Sequence, residues 1–243
     1  MNRLLRELEN HALVSRGRDD ARYRIGNAMV ALSAVVMQRV DIRRLARPFM
    51  EELVRATGET ISLNIRSGRN WVCIETCPSP QAISRVIPIG ETVPLYAGPT
   101  SKAILAFLDQ SEIESIVNEA LAVDWERYRD IYSDLELVRA NRYIALPSDR
   151  APGVAGLSGP VFNAEDIVGA ITVSGPSGRW TQEAMEAASG LLVAACSNLS
   201  SSLGYDPPRA IRRIDDADAL RPAERHSDVQ PKAPSKARSK APS

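Results

Sequence analysis

The order in which hydrophobic periodicity changes along this 243-residue chain constrains its fold more than any single motif does. Runs with strand character come first, at 60–65 (TISLNI), 71–76 (WVCIET) and 82–87 (AISRVI), and a turn around Ser67-Gly68 joins the first two into a meander. Helical spacing follows. Gly98-Pro99-Thr100-Ser101 opens a helix through Phe107, with Pro99 in the first turn, where its missing N–H leaves no bond unmade. Ser111 with Glu114 reads as a capping box for the next helix, and a longer stripe runs through Tyr128, Ile131, Leu135, Val138 and Arg139. Strands resume at 143–146, 157–162 and 167–174, the last two joined by the hairpin-like 163–166 (NAED), and a final helix runs from near Thr181 to about Leu203. This order does not suit alternating parallel units. It predicts an α+β fold, an antiparallel sheet with helices packed against it.

Ahead of the sheet, Asp41 is placed to cap a helix whose stripe is Ile42, Leu45, Ala46, Phe49, Met50, Leu53 and Val54 and which stops at Gly58. Pro48 predicts a kink or break near Arg47, because proline removes a donor and crowds the preceding turn. Residues 27–38 (NAMVALSAVVMQ) carry no charge, so a helix there is apolar on nearly every face and needs a cover. Packing in a homodimer is the simplest cover, and burial within its own chain competes with it. Residues 1–16 read as an amphipathic helix with Leu4, Leu5, Leu8 and Ala12 on one face and Asn2, Arg3, Arg6 and Glu9 facing outward. Residues 17–26 read as a two-stranded wing turning at Asp19-Asp20, with Ala21, Tyr23 and Ile25 on one side and Arg22 and Arg24 on the other. A recognition helix followed by a wing implies base-reading and phosphate-touching faces. The helices that hold such a helix in the major groove would lie upstream of Met1.

Thirty basic and thirty acidic residues cancel, so the chain is not a bulk polyanion binder, and any nucleic-acid contact must be local. The arginines at 3, 6, 16, 18, 22 and 24 supply such a surface; interleaved with Glu7, Glu9, Asp19 and Asp20 they also fit an ordinary solvated one. No run is apolar for long enough to span a membrane and the first residues are charged, so neither anchor nor signal peptide is expected and the location expected is cytoplasmic. Cys73, Cys77 and Cys196, odd in number and irregular in spacing, read as buried thiols in a reducing compartment. After Tyr205 the composition turns to proline, alanine and charge, ending in PKAPSKARSKAPS, and a disordered tail is expected, its last basic residues adding at most weak attraction to nucleic acid.

Catalytic chemistry finds few reagents. The two histidines, His11 and His226, lie in the front helix and the tail, away from any nucleophile of the main domain. The Ser174–Ser177 region does not meet the G-x-S-x-G spacing, and 98–102 (GPTSK) lacks the glycines of a phosphate loop. Cys73 and Cys77 have no second pair to complete a zinc site, and Lys102 reads as a helix-surface cation. The expectation is a protein that is not an enzyme and carries no cofactor or metal.

Taken in order, NRLLRELENHALVSR with its wing, DIRRLARPFMEELVRATGETISLNI, GETVPLYAGPTSKAILAFL, APGVAGLSGPVFN and VGAITVSGPSGRWTQEAM resemble the IclR (isocitrate lyase regulator) family of bacterial transcription factors, from about Met1 to Tyr205. The resemblance implies a partial winged-helix DNA-binding domain at 1–26, a linker and dimerisation helix at 27–40, a GAF-like effector-binding domain at 41–205 and a tail at 206–243. It implies assembly as a homodimer or homotetramer, and a pocket contacted by Gly98, Pro99 and Thr100 at a helix start, Asp149 and Gly156 on a second loop, and Thr172 and Ser174 on the last strand. Two physical arguments agree with that location. A helix N-terminus offers unpaired amides to an anion, and Thr172 and Ser174, two apart on one strand, share a face; small organic acids are therefore the expected ligand class. An ordinary cross-strand hydroxyl pair is the competing reading of those two residues.

The departures matter as well. Many relatives carry two aspartates and two glutamates where this chain has Leu146-Pro147-Ser148-Asp149, and a glycine where it has Ser101, which implies a pocket with less negative charge, an added hydroxyl and a different effector. Met1 stands where relatives have an interior residue, and either a start placed downstream of the true one or a truncated paralogue accounts for it; the former is favoured. Two functions follow. In one, effector binding modulates operator binding through Asn2, Arg3 and Arg6 in the groove and Arg22 and Arg24 on phosphate. In the other, the chain is an effector-binding module without DNA binding of its own.

Overall fold

The computed structural model describes residues 3–17, 22–29 and 42–206. Asn2, the wing turn at Asp19-Asp20, most of the uncharged segment 27–38, the Asp41 cap and the tail beyond Asp206 lie outside the described residues.

At the front, α1 (Arg3–Asn10) is followed by β1 (Val14–Arg16) and β2 (Tyr23–Ile25), paired antiparallel with Val14 opposite Ile25 and Arg16 opposite Tyr23. A two-stranded pair is present, but its first strand lies ahead of the expected 17–26, and the helix is shorter than the expected 1–16. It stops at Asn10 because the chain reverses through Ala12, held at φ 52, and Val14 then spends its backbone bonds on β2. A β-branched residue with a strand partner, two residues past the reversal, has more to gain from a ladder than from another helical turn.

The main body begins with α2 (Ile42–Thr57), which ends at Gly58 in the left-handed conformation (φ 70), its N–H closing on the Val54 carbonyl at 2.7 Å. The expected break at Pro48 does not occur; the helix runs through it. Ala46, Met50 and Leu53 are wholly buried on its inner face. Burying a Met and a Leu contributes about 1.5–3 kcal/mol each, which offsets the roughly 3 kcal/mol cost of an interior proline.

Next come β3 (Thr60–Ser67), β4 (Asn70–Cys77) and β5 (Thr92–Pro94), then α3 (Gly98–Leu105), α4 (Gln110–Val123), α5 (Trp125–Tyr128) and α6 (Ile131–Asn141). The chain returns with β6 (Ile144–Pro147), β7 (Val154–Phe162) and β8 (Ile167–Pro176) and closes on α7 (Gln182–Ser202). The strands form one antiparallel sheet in the order β5-β4-β3-β8-β7-β6, with β3 and β8 at its centre. The α+β plan and the GAF-like sheet are thus present. Helices α2 and α7 cover one face, over Ile61, Leu63, Leu157, Val161, Ile171 and Val173; the second core cluster lies between the other face and α3, α4 and α6.

Three expected elements differ. Residues 82–87 are not a strand: the carbonyl of Arg85 accepts from the Thr60 hydroxyl at 2.7 Å and that of Ile87 from the Thr76 hydroxyl at 3.0 Å, so side chains rather than a neighbouring strand fix this strap. The helix expected from the Ser111/Glu114 box starts two residues earlier, with Asp109 at its cap and Ser111 already in the first turn, because Leu108 docks in the core and the turn must bring Ile113 and Ile116 inward after it. The stripe from Tyr128 to Arg139 is split at Arg129-Asp130. Asp124 caps α5 by accepting from the Arg127 amide at 3.1 Å, and Asp130 stands at the cap of α6. The final helix starts as expected, with the Thr181 hydroxyl accepting from the Ala184 amide at 3.3 Å.

Candidate functional site

Side chains alternate across a strand, so the residues between the apolar ones of β3, β7 and β8 share the opposite face. They are Ser62 and Asn64, Gly156 and Ser158, and Thr172 and Ser174, all but Gly156 carrying a polar group and all buried. Thr172 is the hub: its hydroxyl lies 2.8 Å from that of Thr100 on α3 and 2.9 Å from that of Ser158, while the Asn64 amide reaches the Ser62 hydroxyl at 3.0 Å and Thr172 at 3.5 Å. Ser158 and Ser62 are the cross-strand neighbours of Thr172 on either side. The network ties three strands to one helix without leaving its hydroxyls bare in a low-dielectric interior.

Helix α3 rests on this face by its N-terminal turn. Gly98 adopts φ 83, a conformation that disfavours any side chain, and its amide donates to Asp149 Oδ2 at 3.0 Å. Gly156 is required by space: a Cβ there would meet the Pro99 ring at 2.8 Å. Around this contact lies a cavity of about 40 Å³ whose wall includes Gly98, Pro99, Thr100, Gly156, Thr172 and Ser174, together with Ser62, Trp71, Arg85, Ile87, Glu91 and Arg150. At about 10–15 Å³ of such space per water, it holds a molecule of a few heavy atoms.

The cavity mouth is charged. Arg150 donates to Glu91 Oε1 at 2.6 Å and lies 5.6 Å from the centre of the Trp71 ring, a cation–π distance. Arg85 stands 3.7 Å from the same carboxylate oxygen. Glu91 Oε2, Asp149 Oδ1 and Asn64 Oδ1 are buried without a hydrogen-bond partner among the described residues. Near Asp149, burial first and the carboxylate charge second push the Tyr128 hydroxyl up from its ordinary value.

The structure therefore gathers six of the seven expected pocket residues around one cavity. The seventh, Asp149, is not on its wall. It sits behind the α3 terminus and takes the amide that was expected to meet an anion, so that amide is already satisfied from within the chain. The added hydroxyl of Ser101 also turns away from the cavity: it lies within reach of the Pro94 and Ala97 carbonyls at 2.8 and 2.6 Å and accepts from the Trp71 indole at 2.9 Å. Lys102, expected on the surface, is buried and paired with Asp134 at 2.6 Å, holding α3 to α6. Arg85, Glu91, Arg150 and Trp71 were not legible as site residues, because they reach the cavity from three separate places, the β4–β5 connection, the β6–β7 loop and β4, and no motif links them.

At the front, Arg6 on α1, Arg22 just before β2 and Arg24 on β2 are exposed, while of Arg3 only the backbone at the start of α1 is described. Cys73, Cys77 and Cys196 are buried thiols, and burial pushes that of Cys196 up to about 12. Among the described residues no cluster of His, Cys, Asp or Glu could hold a metal, and no helix is long and apolar enough to cross a membrane.

Comparison with known proteins follows this geometry. Residues 34–201 match the family described as "Bacterial transcriptional regulator IclR C-terminal". The HTH-type transcriptional regulator KipR of Bacillus subtilis is 28% identical over 211 residues, covering 84% of each chain. The crystal structure of the Thermotoga maritima IclR superimposes with a TM-score of 0.65 at 26% identity over 83% of each chain. That of an IclR regulator from a Silicibacter species does so with a TM-score of 0.75 at 23% identity, over 85% of this chain and 84% of that one, a likeness of fold.

Proposed function

Since the chain belongs to the IclR family of bacterial transcriptional regulators, we propose that it is a ligand-responsive regulator in which a small organic acid held between α3 and β8 modulates binding to an operator. The observation that carries this reading is the cavity at the Pro99 turn, whose wall includes two arginines, Arg85 and Arg150, as well as Ser174. Guanidinium is the side chain best matched to a carboxylate, with five N–H donors in a planar fork, and Glu91 engages only part of the two sets. Gly98, Pro99, Thr100, Gly156 and Thr172 shape the wall; Asp149 acts indirectly, by fixing the α3 terminus.

The remainder of the proposal assigns 1–26 to DNA contact, 27–40 to a linker through which two or four copies associate, 41–205 to effector binding and 206–243 to a solvated tail. Asn2, Arg3 and Arg6 are proposed to face the groove, and Arg22 and Arg24 to touch phosphate. A base-neutral phosphate contact weakens binding to all sequences alike when removed, and it lowers the slope of log affinity against log salt by roughly one per charge.

A thermal-shift screen of small carboxylates on the full chain, followed by mobility shifts on DNA flanking its own gene with and without the acid that stabilises it, tests the proposal. Stabilisation by at least one acid and a change in DNA affinity on adding it are expected. Absence of any acid-dependent shift removes the ligand class; salt slopes unchanged in Arg22→Ala and Arg24→Ala remove the wing assignment.

A further inference from the structure

Three charged side chains stand on the cavity wall, Arg85, Glu91 and Arg150, and their formal charges leave one positive charge over. The two guanidiniums converge on a single oxygen, Glu91 Oε1, Arg150 at 2.6 Å and Arg85 at 3.7 Å. One carboxylate is thus shared between two cations. Arg85 makes no side-chain hydrogen bond among the described residues, and the side chains of Arg85 and Arg150 are 30% and 32% exposed, so guanidinium donors remain for an incoming acid. Asp149 adds nothing to the wall: it lies behind the Gly98 turn, its Oδ2 accepting from the Gly98 amide at the positive end of α3. A single incoming carboxylate brings the wall to neutrality. A second one, confined with the first in about 40 Å³, meets the charge of Glu91 at short range and gives up hydration that no further cation on the wall repays.

Resting on the organic-acid reading, we infer that Glu91 sets the charge class of the effector: the cavity takes a monocarboxylic acid, its carboxylate on Arg85 and Arg150, and rejects dicarboxylic acids of the same size. Glu91 acts as a built-in first carboxylate, and the two arginines leave charge for only one more. The ligand makes no contact with Glu91; discrimination comes from like charge held nearby, which excludes wrong partners more effectively than it strengthens right ones. Removing the charge of Glu91 while keeping its shape opens the site to the second carboxylate.

Pyruvate, oxamate and oxalate test this, titrated calorimetrically into the full chain at neutral pH. They have the same number of heavy atoms, but the first two carry one charge and oxalate carries two, so charge is separated from size. The tighter of pyruvate and oxamate is expected to bind at least about tenfold better than oxalate. In Glu91→Gln the wall carries two positive charges, and that ratio is expected to fall toward or past unity. Oxalate binding as tightly as the better monoanion in the wild-type chain overturns this inference and leaves the organic-acid reading standing, as does a wild-type ratio preserved in a folded Glu91→Gln. Failure of all three to bind overturns both readings. The wild-type comparison uses no variant and decides by itself where Glu91→Gln does not fold.

Discussion

The two faces of the central sheet are made from the same strands in the same register, yet they do opposite work. One face, Ile61, Leu63, Leu157, Val161, Ile171 and Val173, is wholly buried under α2 and α7. The other, Ser62, Asn64, Ser158, Thr172 and Ser174, meets the first turn of the eight-residue α3 and two loops. The apolar face is closed by long helices because dispersion and burial reward continuous contact. The polar face has to be closed piecewise, because each hydroxyl and amide needs a partner at a fixed distance and loops can supply one at a time. At these central positions one face is built for burial and the other for hydrogen bonding around a cavity, while a second apolar cluster lies beyond it under α3, α4 and α6.

Four substitutions and one labelling experiment bear on that division. Leu157→Ser puts a hydroxyl into the apolar face, removing a wholly buried side chain and adding an unpaired donor; a loss of about 4 kcal/mol in denaturant unfolding is expected, and a loss below about 1 kcal/mol would show that this face is not the stabilising one. Gly156→Ala, on the polar face, drives a methyl into the Pro99 ring. It should cost about 1–3 kcal/mol and abolish acid binding together, since the α3 turn must move. Thr172→Val keeps the shape but strands the hydroxyls of Thr100 and Ser158; about 1–2 kcal/mol is expected, and a neutral result would mean that these hydroxyls re-pair without the hub. Ser174→Ala should leave the melting temperature within error and weaken acid binding in calorimetry severalfold, and equal affinities would remove Ser174 from the site. The smallest effect is expected at Cys196. With its thiol pushed up to about 12 by burial, it stays neutral in the folded chain. A folded value above the unfolded one contributes stability below the unfolded value that is lost only as pH rises toward 12, so at pH 8 native protein should resist iodoacetamide at this position and react after unfolding.

What could be read from the sequence was local. Gly58 stops α2, Gly68 turns β3 into β4, Asn163 closes the β7–β8 hairpin by accepting from the amides of Glu165 and Asp166, and Thr181 caps α7, each through a bond spanning at most four residues. The strand expected at 82–87 shows where the same reasoning stops. Alternation reports which side of a segment is wet, and this strap alternates only in its second half, with Arg85 and Ile87 toward the cavity and Val86 73% exposed, while Ile83, which alternation would turn inward, is 73% exposed as well. Alternation does not report which group takes the backbone carbonyls, and here two threonine hydroxyls do. Lys102 teaches the same lesson for charge. Its partner Asp134 lies a helix away, and a lysine looks superficial until that helix is docked beside it.

By itself, the sequence determined the α+β plan, the polar and apolar faces of the sheet and the family to which the chain belongs, because periodicity, caps and turns are encoded by neighbours within a few residues of one another. Only the tertiary structure decided what surrounds the α3 terminus: that Asp149 takes the Gly98 amide, that Ser101 turns away from the cavity, and that Arg85, Glu91 and Arg150 converge on its wall. Arg150 is about sixty residues from Arg85 and Glu91 along the chain, and the electrostatics of a site depend on separation in space, which no spacing along the chain records.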